Sequence, residues 1–169
     1  MKRTVRKNVF ETNSSSVHTL ILAHGDTTVM NVKLEFEPDE YGWGQDTLTS
    51  YFERADYLWT FLCIASEDKP ERLEIIKDKI REILGKYGIE CTFIMPKDGF
   101  YYIDHYTDWY RDNPEDSILY RMLDDENLLI DYLFNDNTKI YIDNDNECAG
   151  DRLKIIYPDC QYDEYVKGN

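Results

Sequence analysis

The sequence predicts an α+β fold built as a single domain over residues 1–169, with antiparallel strands at both ends of the chain, a central helical hairpin and further short helices. Three observations predict it. Extended, β-rich segments gather toward the two ends, a period of 3.6 residues runs through the middle, and the strands come in groups rather than alternating singly with helices, which separates α+β from α/β. A chain of 169 residues, 42% of them hydrophobic, buries roughly two-thirds of its unfolded surface on folding and so can support one core.

In chain order, Val5 to Phe10, Val17 to Ala23 and Val29 to Phe36 read as three strands separated by polar or Gly-containing turns, which suits a meander. A loop with Pro38, Gly42, Trp43 and Gly44 follows. Leu48, Tyr51, Phe52, Ala55, Leu58, Trp59, Leu62 and Cys63 then recur at helical spacing and predict an amphipathic helix of about 20 residues. Ser66 or Asp68 is placed to cap a second helix, and Pro70 suits its first turn. Leu73, Ile76, Ile80, Ile83, Leu84 and Tyr87 keep the period until Gly88 ends it. The two helices predict a hairpin whose apolar stripes are core rather than a ligand box.

Ile89 to Met95 reads as a strand stopped by Pro96, and Gly99 to Ile103 as another, reached through a turn at Pro96-Lys97-Asp98-Gly99. Asn113 and Pro114 resemble a helix start. Ile118, Leu119, Met122 and Leu123, followed by Leu128, Leu129, Tyr132 and Leu133, give one broken helix or two short ones, interrupted at Asp124-Asp125-Glu126-Asn127. Ile140 to Ile142 and Leu153 to Tyr157 close the chain as strands joined by a tight acidic connection. Phe10, Leu20, Leu22, Leu58, Leu62, Ile76, Ile80, Ile83 and Leu133 are the expected shared core.

With 34 acidic against 19 basic residues the net charge is −15. That argues against non-specific wrapping of a nucleic-acid duplex, which relies on Lys and Arg neutralising phosphates. The exception is residues 1–10, where Lys2, Arg3, Arg6 and Lys7 stand without an acid; this basic edge reads either as a phosphate contact or as an edge strand protected by charge. Cys63, Cys91, Cys148 and Cys160 are widely spaced, with no Cys-x-x-Cys pair and no zinc-site spacing, so they read as reduced and structural. No apolar run is long enough to span a membrane and the N-terminus lacks an apolar signal region, so the expectation is a cytoplasmic protein with no membrane partner.

Chemistry concentrates between residues 9 and 20. Glu11, Thr12, Asn13, Ser14, Ser15, Ser16 and His18 place a carboxylate, hydroxyls, an amide and an imidazole within eight residues, a set able to form a site edge or, equally, a tight polar turn. In an extended backbone Ser14, Ser16, His18 and Leu20 share one face, and Val17, Thr19 and Ile21 the other.

The run Arg6-Lys7-Asn8-Val9-Phe10-Glu11-Thr12-Asn13-Ser14-Ser15-Ser16-Val17-His18 resembles the N-terminal signature of a group of small proteins of bacteriophages and mobile elements of Firmicutes. Tyr102-Ile103-Asp104-His105 is similar to a segment of the same group, as are Phe134-Asn135-Asp136 and Asn144-Asp145-Asn146. A further resemblance is to phage anti-CRISPR proteins, including a kind that shortens the guide RNA of a CRISPR effector. The resemblance implies an anti-defence factor whose partner is RNA or a CRISPR effector ribonucleoprotein.

His18 and His105 are two of three histidines, and two imidazoles can divide general acid and general base roles without a metal or other cofactor. Metal-independent RNA cleavage fits: one base deprotonates the 2′-hydroxyl, which attacks the adjacent phosphate, while an acid assists the departing 5′-oxygen. The candidate catalytic set is His18, His105, Asp104, Ser14, Ser16 and Glu11. The candidate binding set is Arg3, Arg6, Asn13, Ser15, Asp145 and Asn146, with Arg3, Arg6 and the serines also able to stabilise charge on phosphorus. His105-Tyr106-Thr107 has the His-x-Thr form of two-histidine phosphoesterases, but His18-Thr19-Leu20 does not repeat it. Asp143-Asn144-Asp145-Asn146-Glu147 starts like a calcium loop, yet Cys148 replaces its glycine and Lys154 its bidentate Glu, so it reads as a turn. Asp104, Asp145 and a histidine converging on a divalent ion is the remaining metal alternative.

The rival reading is a non-catalytic acidic mimic of nucleic acid. Residues 104–169 carry 17 acids against 6 bases, and a rigid carboxylate array can compete for the basic groove of a CRISPR effector or another nucleic-acid-binding protein. Fourteen tyrosines and three tryptophans supply candidate anchors. An N-terminal edge strand also offers pairing about a two-fold axis, as a homodimer.

Overall fold

The computed structural model describes residues 16–25, 27–29, 31–42, 46–95, 101–104, 113–144 and 164–167, with the backbone alone at 16, 17, 143, 144 and 164–167. Within these the chain is α+β. The strands are β1 (Ser16–Ile21), β2 (Lys33–Phe36), β3 (Glu40–Tyr41), β4 (Asp46–Leu48), β5 (Glu90–Phe93), β6 (Tyr102–Ile103), β7 (Lys139–Asn144) and β8 (Glu164–Lys167). The helices are α1 (Tyr51–Ile64), α2 (Pro70–Lys86), α3 (Ile118–Arg121) and α4 (Glu126–Phe134), with a 3-10 turn at Pro114–Asp116.

Four strands form an antiparallel sheet in the order β4-β7-β1-β8. β1 lies inside it, pairing His18 with Ile142 on one side and with Val166 on the other. His18, Thr19, Leu20 and Ile21 are all buried, so β1 is covered on both faces; a strand with one solvated face would have alternated. The expected meander is not found, because β1 pairs with strands from the far end of the chain while β2 pairs in parallel with β5 and β3 in parallel with β6. Val5–Phe10 and Leu153–Tyr157 lie outside the described residues. Asp143 and Asn144, expected in a turn, continue β7 opposite Val17 and Ser16.

The two consecutive helices expected there are present, with different boundaries. Leu48 belongs to β4, and α1 begins at a capping box: Ser50 accepts from the Glu53 N–H at 3.2 Å, and the Glu53 carboxylate accepts the Ser50 N–H at 2.8 Å. That signature, Ser-x-x-Glu, stands in the sequence and outcompetes the apolar period at the helix start. Ten of the 14 residues of α1 are buried, so it is a core helix rather than a surface helix with one apolar stripe. α2 does show the expected stripe, burying Leu73, Ile76, Ile80, Ile83 and Leu84. Neither Ser66 nor Asp68 caps it; Lys69 occupies that position without a side-chain bond and Pro70 starts the helix. Gly88, at φ +72°, ends it with the Ile89 N–H reaching Leu84 O at 3.1 Å and the Gly88 N–H reaching Gly85 O at 3.1 Å, the paired bonds of a Schellman cap. α2 packs chiefly against β5 and meets α1 where Lys77 Nζ lies 5.9 Å from the Trp59 ring centroid, so the two helices do not pack along their length as the expected hairpin would.

Ser117 caps α3 and Asp125 caps α4, which divides the expected broken helix at residues 122–125. The buried apolar side chains make one cluster, in which Leu20, Leu22, Leu58, Leu62, Ile76, Ile80, Ile83 and Leu133 all take part as expected; Phe10 lies outside the described residues. Cys63 and Cys91 are free thiols, and burial pushes the Cys63 thiol up to about 12, which makes it inert. Among the described residues no helix is long and apolar enough to cross a membrane.

Candidate functional site

The helix α1 sets the site because three neighbouring segments are fastened to it. Asp56 Oδ1 accepts the Glu37 N–H at 2.8 Å, and Thr60 Oγ1 accepts the Asp39 N–H at 2.9 Å, which anchors the chain leading into β3. Tyr57, one residue on, meets β1: its hydroxyl lies 2.9 Å from His18 Nδ1. The N-terminal end of α1 is held by Arg54, whose buried guanidinium donates to the carbonyls of Thr49, Thr138, Leu133 and Asn135. Burial lowers its proton affinity.

These anchors leave a cleft of about 560 Å³ between α1, the sheet edge and the β3–β6 pair. Asp39, Glu40, Tyr41 and Gly42 form one wall, Glu53 and Asp56 of α1 a second, and Asp46, Leu48 and Ile142 the sheet side, with Tyr102 at the rim. Five of these ten residues are carboxylates and none is basic. The resulting field is visible in the groups themselves. Asp56 is pushed up to about 6, first by burial and then by the neighbouring carboxylates Glu37, Asp39 and Glu35, against the opposing pull of the Glu37 N–H. Tyr41 is raised far above an ordinary phenol by burial and by Asp56 and Asp39. Glu53, which partial burial pushes upward, is nevertheless held below its usual range by the N–H groups of Ser50 and Thr49.

His18 stands one strand behind this cleft. Asp46, Ile142 and His18 occupy one lateral row across β4, β7 and β1, and Tyr57 joins His18 to the cleft wall by packing edge-on against Tyr41 with ring centroids 4.8 Å apart. At 4% exposure, the imidazole is a packed group. Asp104 follows β6, and its N–H donates to Tyr41 O at 2.6 Å. The structure therefore ties two of the sequence-derived candidates to the Tyr41–Tyr57 pair, His18 through the Tyr57 hydroxyl and Asp104 through the Tyr41 carbonyl. Ser16 opens β1 opposite Asn144. Glu11, Asn13, Ser14, Ser15, His105, Arg3, Arg6, Asp145 and Asn146 lie outside the described residues.

The cleft residues Asp39, Glu40, Tyr41, Asp46, Glu53, Asp56 and Tyr102 were missed by sequence reasoning. The density of acids in Glu35-Phe36-Glu37-Pro38-Asp39-Glu40 was a usable signal, and the capping box places Glu53. Nothing in the one-dimensional pattern brings Tyr102 or Asp56 to that loop. Among the described residues no group of three His, Cys, Asp or Glu side chains is placed to hold a metal ion.

The fold and site define an α+β protein with an acidic, aromatic-rimmed cleft. Compared with protein-family models, with curated proteins and with solved structures, the chain matches none.

Proposed function

We propose that this protein works by binding rather than by cutting: it is an acidic anti-defence factor that engages a cationic surface of a nucleic-acid-handling partner. The cleft carries the reading. Five carboxylates converge on one concavity with no basic lining residue among the described residues, and such a concavity focuses negative potential and attracts a cationic partner. The same field repels a phosphodiester. A ribonuclease needs its acid and base in reach of the scissile phosphate, whereas His18 is buried against Tyr57, one strand beyond the cleft-lining Ile142. The overall charge of −15 and the resemblance to phage anti-CRISPR proteins favour the basic groove of a CRISPR effector as the occupied surface.

The test adds the purified protein to a CRISPR effector ribonucleoprotein and follows both target binding and guide-RNA length, at low and high salt. The expected result is loss of target binding that fades with salt while the guide stays intact, and that weakens when Asp39, Glu40 and Asp46 become amides. Shortened RNA, with shortening abolished in a folded His18→Ala variant, overturns the reading in favour of metal-independent ribonuclease action.

A further inference from the structure

We propose that the cleft is a receptor for an arginine side chain presented by a basic polypeptide segment, a proposal that rests on the acidic-binding reading above and specifies what enters the site. The carboxylates are already oriented and still have capacity. Asp39 Oδ1 accepts the Glu40 N–H at 2.8 Å, Asp46 Oδ1 the Thr47 N–H at 2.7 Å and Asp56 Oδ1 the Glu37 N–H at 2.8 Å. Each bond engages one carboxylate oxygen and leaves the second with capacity to accept from a ligand. The ion pairs made by His24, Lys77, Lys79, Arg81 and Lys86 lie elsewhere.

Tyr41 gives an independent indication. It lines the cleft and is 6% exposed, yet its hydroxyl has no hydrogen-bond partner among the described residues. The hydroxyl is not one of the buried, unpaired polar atoms, so it opens to the cleft, where a ligand N–H can bond to it. Burial, and after it the neighbouring Asp56 and Asp39, keep it a neutral phenol, so its oxygen retains lone pairs to accept that bond.

Tyr102 supplies the shape. Its ring is 42% exposed at the rim and lies against Gly42, where an added Cβ would meet ring carbon Cε2 at 2.7 Å. Glycine thus lets the hydroxyl edge of the ring close on the backbone while much of the ring stays exposed at the rim. A planar cation can stack on an exposed tyrosine ring, and a guanidinium brings five donors in one plane. A lysine ammonium, a hydrated point charge with three donors, satisfies fewer of these groups.

The experiment uses two labelled peptides identical except for arginine or lysine at every basic position, titrated with the full chain at low salt and followed by fluorescence anisotropy. The arginine peptide is expected to bind about tenfold more tightly. Tyr102→Ala and Tyr41→Phe, which leave the net charge unchanged, bring the ratio close to one, and Gly42→Ala does the same by displacing the ring. Glu71→Gln, which removes one charge outside the cleft, retains the ratio. Equal binding of the two peptides by the parent, a ratio that survives Tyr102→Ala, or a ratio lost in Glu71→Gln overturns the arginine assignment while leaving the acidic-binding reading in place. Failure of both peptides to bind at low salt overturns both.

Discussion

Arg54→Met tests how the site is held in place. The Arg54 guanidinium is buried and donates to Thr49 O at 2.6 Å, Thr138 O at 2.5 Å, Leu133 O at 2.6 Å and Asn135 O at 3.3 Å. It therefore ties the start of α1 to the end of α4 and the approach to β7, and the Tyr132 hydroxyl closes the arrangement by donating to Arg54 O at 2.8 Å. Methionine fills much of the same space but strands these carbonyls, each at about 1–3 kcal/mol where water cannot reach. Removal of a guanidinium whose own burial is unfavourable offsets part of that, and the net loss is expected at about 3–5 kcal/mol. Urea unfolding followed by tryptophan fluorescence should show it as a midpoint lowered by roughly 2 M. Arg54→Lys, whose ammonium reaches only some of the carbonyls, should fall between the two. A loss below about 1 kcal/mol for Arg54→Met would refute the argument that this cation organises the α1–α4–β7 corner.

Three further outcomes follow from named groups. Leu62 is fully buried, so Leu62→Ala should cost roughly 2–5 kcal/mol; an unchanged unfolding midpoint would mean that its cluster is misassigned. Asp56 has its folded proton affinity raised to about 6 from an ordinary 3.8. Between these values the native state holds more protons than the unfolded state, so this group's contribution makes stability fall as pH rises through the window. Asp56→Asn, which keeps an oxygen for the Glu37 N–H, should stabilise the fold at pH 7 by about 1 kcal/mol after allowance for solvent screening, with the gain vanishing near pH 4; a gain that persists at low pH contradicts the assignment. His18→Ala should lower stability by roughly 1–3 kcal/mol through the lost Tyr57 bond and packing, with RNA left intact by parent and variant alike. Metal-independent cleavage by the parent, reduced about 100-fold in the variant, would restore His18 to an acid–base role.

The parts of the fold that were legible in the sequence are those governed by local rules. The α2 stripe from Leu73 to Leu84, the Gly88 stop and the interruption before α4 depend on helical period and end signals, and they stand where those signals predict. Strand pairing was not legible, because β1 finds β7 and β8 more than a hundred residues away and short β2 and β3 accept parallel partners that no turn chemistry announces. The candidate site divides the same way. His18 stands out as a rare residue type in a polar run, but its burial follows from what covers its face of β1, Tyr57 of α1 included, which is a property of tertiary packing. The cleft is harder still to foresee: its acids are common residues on separate segments, and only the folding of α1 under β3 and β4 brings Asp39, Asp46 and Asp56 to one space. Tyr41 and Tyr102 owe their roles to the parallel pairing of β3 with β6.

The most direct test of the central claim is a map of backbone and side-chain NMR shifts during titration with a basic, arginine-bearing peptide. The account predicts perturbations concentrated at Asp39 to Gly42, Asp46 to Leu48, Glu53 to Tyr57 and Tyr102, with the carboxyl signal of Asp56 moving toward the ionised form as the cation lowers its proton affinity. Shifts centred elsewhere, for instance on the groove lined by Arg72, Ile75, Tyr120 and Leu123, with Asp56 unmoved, would contradict it.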